Sequence, residues 1–151
     1  MARSASLKKS VRPSRPLYIL DEQIGFILRQ VSQRHTTLFT RGIGDDMTPT
    51  QWAVLAKLTE NGPCSQNQLG RLTAMDVATI KGVIDRLTAR GLTETSPDPA
   101  DGRRLLVSLT RAGQQIAEKA APNALAISKE TLAPLDAKER ETLVALLSKL
   151  R

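Results

Sequence analysis

Little in this 151-residue chain supports redox, metal or covalent chemistry. It has one cysteine, Cys64, so no internal disulfide can form, and such sparing use fits a reducing compartment. Together with the single histidine, His35, it leaves too few soft ligands for a metal cluster. No Gly-rich phosphate loop and no Ser-His-Asp arrangement can be placed. The stretch Asp-Pro-Ala-Asp-Gly at 98–102 fails as a calcium loop, because the later ligand positions fall in the apolar run that follows it. No apolar run approaches the roughly 18 residues that span a bilayer, and the N-terminus lacks the apolar core of a signal peptide. The expectation is a cytoplasmic protein that is not an enzyme, needs no cofactor and does not meet a membrane. At 40% hydrophobic and 25% charged, with aromatics at only 3%, the composition is that of a globular domain with an aliphatic core.

The net charge of +7 is unevenly placed. Arg3, Lys8, Lys9, Arg12 and Arg15 supply five of the seven excess charges from residues 1–16, and the rest of the chain is nearly balanced at +2. This arm reads either as a disordered solubilising tail or as a segment that touches phosphate or a minor groove.

Apolar residues at 20, 24, 27, 28, 31, 38, 39 and 43 mark one face of a long helix from Leu20 to about Ile43. Thr48-Pro49-Thr50-Gln51 reads as an N-cap, a proline at N1 and a glutamine at N3, and Asn61-Gly62-Pro63 ends the helix it opens. Ser65-Gln66-Asn67-Gln68 repeats the capping pattern for a short helix with Leu69 and Leu72 inward. Asp76 caps the next helix, in which Ile80, Val83, Ile84 and Leu87 form the buried stripe. Its other face carries Ala78, Thr79, Lys81, Gly82 and Asp85, and Gly91 ends it. Thr110 caps a later helix, which Pro122 is expected to kink or divide, with Ile116, Ala120 and Leu125 on one side. Asp136-Ala-Lys-Glu139 opens a last helix with Leu143, Leu146, Leu147 and Leu150 on one stripe.

Between the helix at 76–90 and Thr110, residues Leu92–Thr95 and the alternating Leu105, Val107 and Leu109 read as a β-hairpin with a tight turn at Asp101-Gly102. Two arginines, Arg103 and Arg104, stand at its tip. A helix, a short helix, a polar-faced helix and a charged hairpin follow the plan of a winged helix-turn-helix. The second of the paired helices has the length to enter a major groove, and the tip arginines suit phosphate or a narrow minor groove. The fold class expected is mainly α with a small β-hairpin wing, a winged helix-turn-helix plus a helical dimerisation domain. Its divisions are a basic arm at 1–16, a dimerisation helix at 17–46, the DNA-binding part at 47–110 and dimerisation helices at 111–151. The stripes at 20–43 and 143–150 exceed what a roughly 60-residue core can cover, and each leucine left wet forgoes ~1.5–3 kcal/mol. A second subunit is the natural cover; the alternative is that the two stripes cover each other.

The segments "TPTQWAVLAKL", "QNQLGRLTAMDVATIKGVIDRLTARGL" and "DPADGRRLLVSLTRAG" resemble the MarR family of bacterial transcription regulators over about residues 20–150. The resemblance implies a homodimer on a palindromic double-stranded operator, controlled by a small aromatic acid or its coenzyme A thioester bound between the two parts of the fold. It also implies roles: Arg103 in the minor groove, oriented by Asp101; Arg104 on phosphate; Ala78, Thr79 and Lys81 on the recognition helix. Many members carry an arginine or another long polar residue where this chain has Gly82. Arg86 reads as the structural partner of a nearby acid in preference to a base reader. His35 is either a satisfied interface histidine or, with Arg34, the wall of an effector pocket in which Trp52 stacks on an aromatic ring. Cys64 reads as an inert turn residue or as a redox sensor activated at a helix start. The rival to a DNA-binding repressor is a winged-helix module that binds protein.

Overall fold

The computed structural model describes residues 15–151. Arg3, Lys8, Lys9 and Arg12 of the expected arm lie outside the described residues, and Arg15 pairs with Glu22. After a 3₁₀ turn at Leu20–Glu22 the helices are α1 (Ile24–Gly42), α2 (Pro49–Asn61), α3 (Gln66–Thr73), α4 (Val77–Ala89), α5 (Arg111–Thr131) and α6 (Ala137–Ser148). The strands are β1 (Cys64–Ser65), β2 (Thr93–Pro97) and β3 (Leu105–Leu109). Among the described residues no helix is long and apolar enough to cross a membrane.

Local chemistry sets the helix starts. Thr48 Oγ1 accepts the Gln51 amide while the Gln51 side chain accepts the Thr48 amide, and Asp136 and Glu139 repeat this reciprocal box. Asp76 and Thr110 cap α4 and α5 from one side only, and so does Ser65 at α3, where the expected return bond from Gln68 is not formed. The first helix begins later than its apolar pattern suggests. Gln23 takes an extended backbone conformation and separates the 3₁₀ turn from α1.

The sheet has three strands rather than the two of a simple hairpin, in the order β1-β3-β2, all antiparallel. Cys64 and Ser65 pair with Val107 and Leu106, so the turn between α2 and α3 is tied to the wing. One core joins α2, α3 and α4 to β3 and α5; Val54, Leu55, Leu69, Val83 and Leu87 are 0% exposed. Leu72, expected inward, is 37% exposed because the short α3 turns only Leu69 and Gly70 into the core.

The start of α5 is held against the end of α4. Gly91, at φ +70, turns the chain, and Leu92 carbonyl accepts the Thr110 amide at 3.1 Å. A β-carbon on Gly113 would lie 1.9 Å from that carbonyl oxygen, so glycine is required there. The helix then runs unbroken through Pro122, contrary to the expected division. Pro122 is exposed, and burial of Ala117, Ala120 and Ile127 on the other side holds the helix together across the missing amide. Leu125, expected on the packed side, is 67% exposed.

Candidate nucleic-acid interface and effector contacts

At 100° per residue, Ile80, Val83, Ile84 and Leu87 turn one face of α4 into the core and leave Ala78, Gly82 and Asp85 at the centre of the opposite face. Asp76 fixes the start of this helix: its Oδ1 accepts the Thr79 amide at 2.7 Å, and that bond holds the carboxyl below its ordinary range. Thr79 and Lys81 are exposed. Lys81 is not a free cation, since its Nζ lies 2.6 Å from Asp85. Arg86, expected to pair with an acid, has no carboxylate within 4.0 Å among the described residues and lies instead across Gly82. Val77, at the first position of α4, is 68% exposed.

The wing loop spans the residues between Pro97 and Leu105, which pair across the hairpin. It is closed by the Asp98 amide donating to Arg104 carbonyl at 2.8 Å and, inside it, by the Arg104 amide donating to Asp101 carbonyl at 2.9 Å. The tight turn at Asp101-Gly102 is therefore present as the tip of a wider loop. The carboxylate that braces the loop is that of Asp98, which is only 7% exposed. It accepts the Ala100 amide at 2.9 Å on one oxygen, and Arg104 Nε and Nη2 at 3.0 and 2.7 Å on the other. The Ala100 amide first, then the guanidinium, holds the Asp98 carboxyl below its usual value.

This geometry revises the expected division of labour. Asp101 accepts the backbone amide of Arg103 at 3.1 Å and makes no bond to its guanidinium. Arg104, expected on phosphate, is the arginine braced by a carboxylate, although its side chain remains 61% exposed. The guanidinium of Arg103 engages no carboxylate within 4.0 Å among the described residues. Sequence reasoning missed Asp98 because its role depends on loop closure with a residue six positions away.

Two of the three expected effector residues bond to the end of α5. Arg34 donates to the Thr131 and Glu130 carbonyls at 2.6 and 3.3 Å, and His35 Nδ1 lies 2.8 Å from Thr131 Oγ1. Both side chains thus join α1 to the last turn of α5, where a guanidinium also complements the helix dipole. Trp52 is half-buried on α2 against the core. In the α1–α2 turn Gly44, Asp45 and Asp46 have positive φ. Arg90, capping α4, donates to Asp45 carbonyl at 2.7 Å, and Lys119 of α5 lies 3.2 Å from the Asp45 carboxylate. A cleft of about 360 Å³ opens along this turn between Thr40 and Pro49. Cys64 is buried, donates to Gly62 carbonyl at 3.3 Å, and burial pushes its thiol up, which is the reverse of an activated thiolate.

The family model described as MarR family matches residues 45–104, from the α1–α2 turn to the end of the wing loop. The transcriptional repressor NicR of Pseudomonas putida is 40% identical over 95% of this chain and 94% of its own length. Among solved structures, a probable transcriptional regulator from Pseudomonas aeruginosa superposes with a TM-score of 0.86 at 59% identity, covering 88% of this chain and all of the other. BpsR of Bordetella bronchiseptica, whose DNA binding is regulated by 6-hydroxynicotinic acid, gives 0.85 at 40% identity over 89% of this chain and 97% of its own. With a winged helix-turn-helix built in the same order and these relatives along nearly its whole length, the chain belongs to the MarR family, whose members are transcription regulators and not enzymes.

Proposed function

We propose that this chain is a repressor that binds a palindromic operator as a homodimer and releases it when a small aromatic acid binds. The observation that carries the reading is the pair of DNA-sized features on one scaffold: an exposed α4 face, and a braced wing presenting Arg103, whose guanidinium engages no carboxylate among the described residues. Ala78, Thr79 and Lys81 meet base edges or phosphates from α4, and Arg103 enters the adjacent minor groove, where the negative potential favours a guanidinium. Arg104 reaches the backbone while Asp98 holds the loop in shape.

The homodimer is supported by apolar surface that one chain leaves open. Leu20, Ile24 and Val31 are 51%, 62% and 50% exposed at one end, and Leu146 and Leu150 are 53% and 74% exposed at the other. Thus the two stripes do not cover each other within one chain. A groove of about 450 Å³ lined by Leu135, Thr142, Leu143 and Leu146 adjoins the second stripe. Burying a leucine contributes ~1.5–3 kcal/mol, enough in such numbers to hold two subunits together.

The effector reading is supported by the likeness to BpsR and by the position of the α1–α2 turn, which ties α1, α4 and α5 together through Asp45. A ligand wedged beside that turn changes the separation of the two α4 helices in a dimer, and several phosphate contacts are lost together. The test is a titration of the protein with DNA from upstream of its own gene at several salt concentrations. It is repeated with 6-hydroxynicotinic acid, other aromatic acids and their coenzyme A thioesters. Specific binding that weakens steeply with salt and is released by one compound is expected; binding indifferent to salt would instead mark a protein-interaction module.

A further inference from the structure

The centre of the exposed α4 face is a strip of two small residues, Ala78 and Gly82, one turn apart. On one flank Lys81 is tied to Asp85 at 2.6 Å, so that flank carries a neutralised pair. From the other flank the guanidinium of Arg86 folds over the strip. A β-carbon built on Gly82 would stand 3.3 Å from Arg86 Nη1, 3.8 Å from Nη2 and 3.9 Å from Cζ. Side chains on a helix lean toward its N-terminus, so Arg86 delivers its charged fork one turn back, towards the groove-entering end of α4. No carboxylate engages it among the described residues, and no β-carbon at position 82 stands in its way.

We propose that Arg86 is the base-reading residue of α4, donating both guanidinium N–H groups to O6 and N7 of one guanine in each half-site through the gap left by Gly82. The inference rests on the DNA-binding function proposed above. An arginine fork matches those two acceptors, whereas the compact ammonium of lysine offers no such fork. Lys81 is then the weaker reader, since Asp85 competes for it. Gly82 is part of the device: even a methyl group there must displace the guanidinium by a few tenths of an ångström.

The experiment is selection from a randomised duplex pool by the full-length wild type, Arg86→Lys and Gly82→Ala, followed by salt titrations on the enriched sequence. The wild type is expected to enrich a symmetric site with one invariant G·C pair in each half. Arg86→Lys should keep the salt slope and lose preference at that pair alone, by about 5- to 150-fold. Gly82→Ala should lower the same preference less while raising the melting temperature, because alanine favours the helix. Uniform weakening of Arg86→Lys across all sequences would make Arg86 a phosphate contact and overturn the inference, and so would an unchanged preference. A wild type that enriches nothing would defeat the DNA-binding reading itself, and this inference with it.

Discussion

The winged-helix core and the flanking helices are built from the same aliphatic residues and end in opposite states. In the first, Val54, Leu55, Leu69, Val83 and Leu87 are sealed at 0% exposure by neighbours in the same chain. In the second, α1 buries only Phe39 and α6 buries nothing, although α1 carries leucine and isoleucine, and α6 leucine and valine, at helical spacing. The difference lies in the number of packed layers. The core sits among α2, α3, α4, β3 and α5, whereas each flanking stripe has protein on one side and water on the other. One region is closed within a single chain, and the other leaves its apolar stripes exposed, as the homodimer proposed above requires.

The sharpest way to break this comparison is to damage each side in turn. Leu87→Ala opens a cavity in a region with no second partner to fill it, and should cost ~2–5 kcal/mol in chemical denaturation, independent of protein concentration. Leu147→Asp acts on the other side. In an isolated chain an exposed substitution falls within about 0.5 kcal/mol. In a homodimer it should weaken association about tenfold or more, which sedimentation across a concentration series would report, while helix content stays near wild type. A Leu147→Asp protein that sediments as wild type would remove α6 from the interface.

At the DNA-facing surface the same comparison predicts smaller effects that leave stability untouched. Arg103→Ala removes an exposed side chain held by no carboxylate, so its melting temperature should equal that of the wild type while operator affinity falls about tenfold. Intact affinity would take the wing tip out of the contact.

Features written into consecutive residues were readable in the sequence; those needing two distant segments were not. The caps at Thr48, Asp76, Thr110 and Asp136 were readable because an N-cap and its amide partner lie three residues apart. The Ile80–Leu87 stripe was readable for the same local reason. Strand β1 was missed because two residues carry no period, and only pairing with Val107 and Leu106 defines it. Of the two outcomes expected at Pro122, a kink or a division, the division does not occur, because the burial of Ala117, Ala120 and Ile127 depends on packing that the local sequence does not display. The family resemblance assigned the bracing carboxylate to Asp101, since nothing local distinguishes it from Asp98, whose carboxylate accepts from Arg104. His35 and Arg34 were proposed for a ligand, and their hydrogen bonds to the end of α5 lie 96 and 97 positions along the chain.

The smallest effect concerns the brace within the wing, and its sign follows from the direction of the shift. The Ala100 amide and the Arg104 guanidinium depress the Asp98 carboxyl below its ordinary value in the folded protein. Its contribution is therefore fully present above the unfolded value of about 3.9 and is lost as the pH falls through the lower, folded one. Between pH 7 and 5 the wing should be indifferent to acid. Below about pH 4, hydrogen exchange at the Ala100 and Arg104 amides should accelerate before that of the α4 amides, because the wing loop is exposed and α4 is anchored in the core. Asp98→Asn should give the faster wing exchange already at pH 7 and abolish its dependence on acid. Acceleration that begins together in the wing and in α4 would mean that the two share one cooperative unit, and the wing would then be as much part of the closed core as the helix it follows.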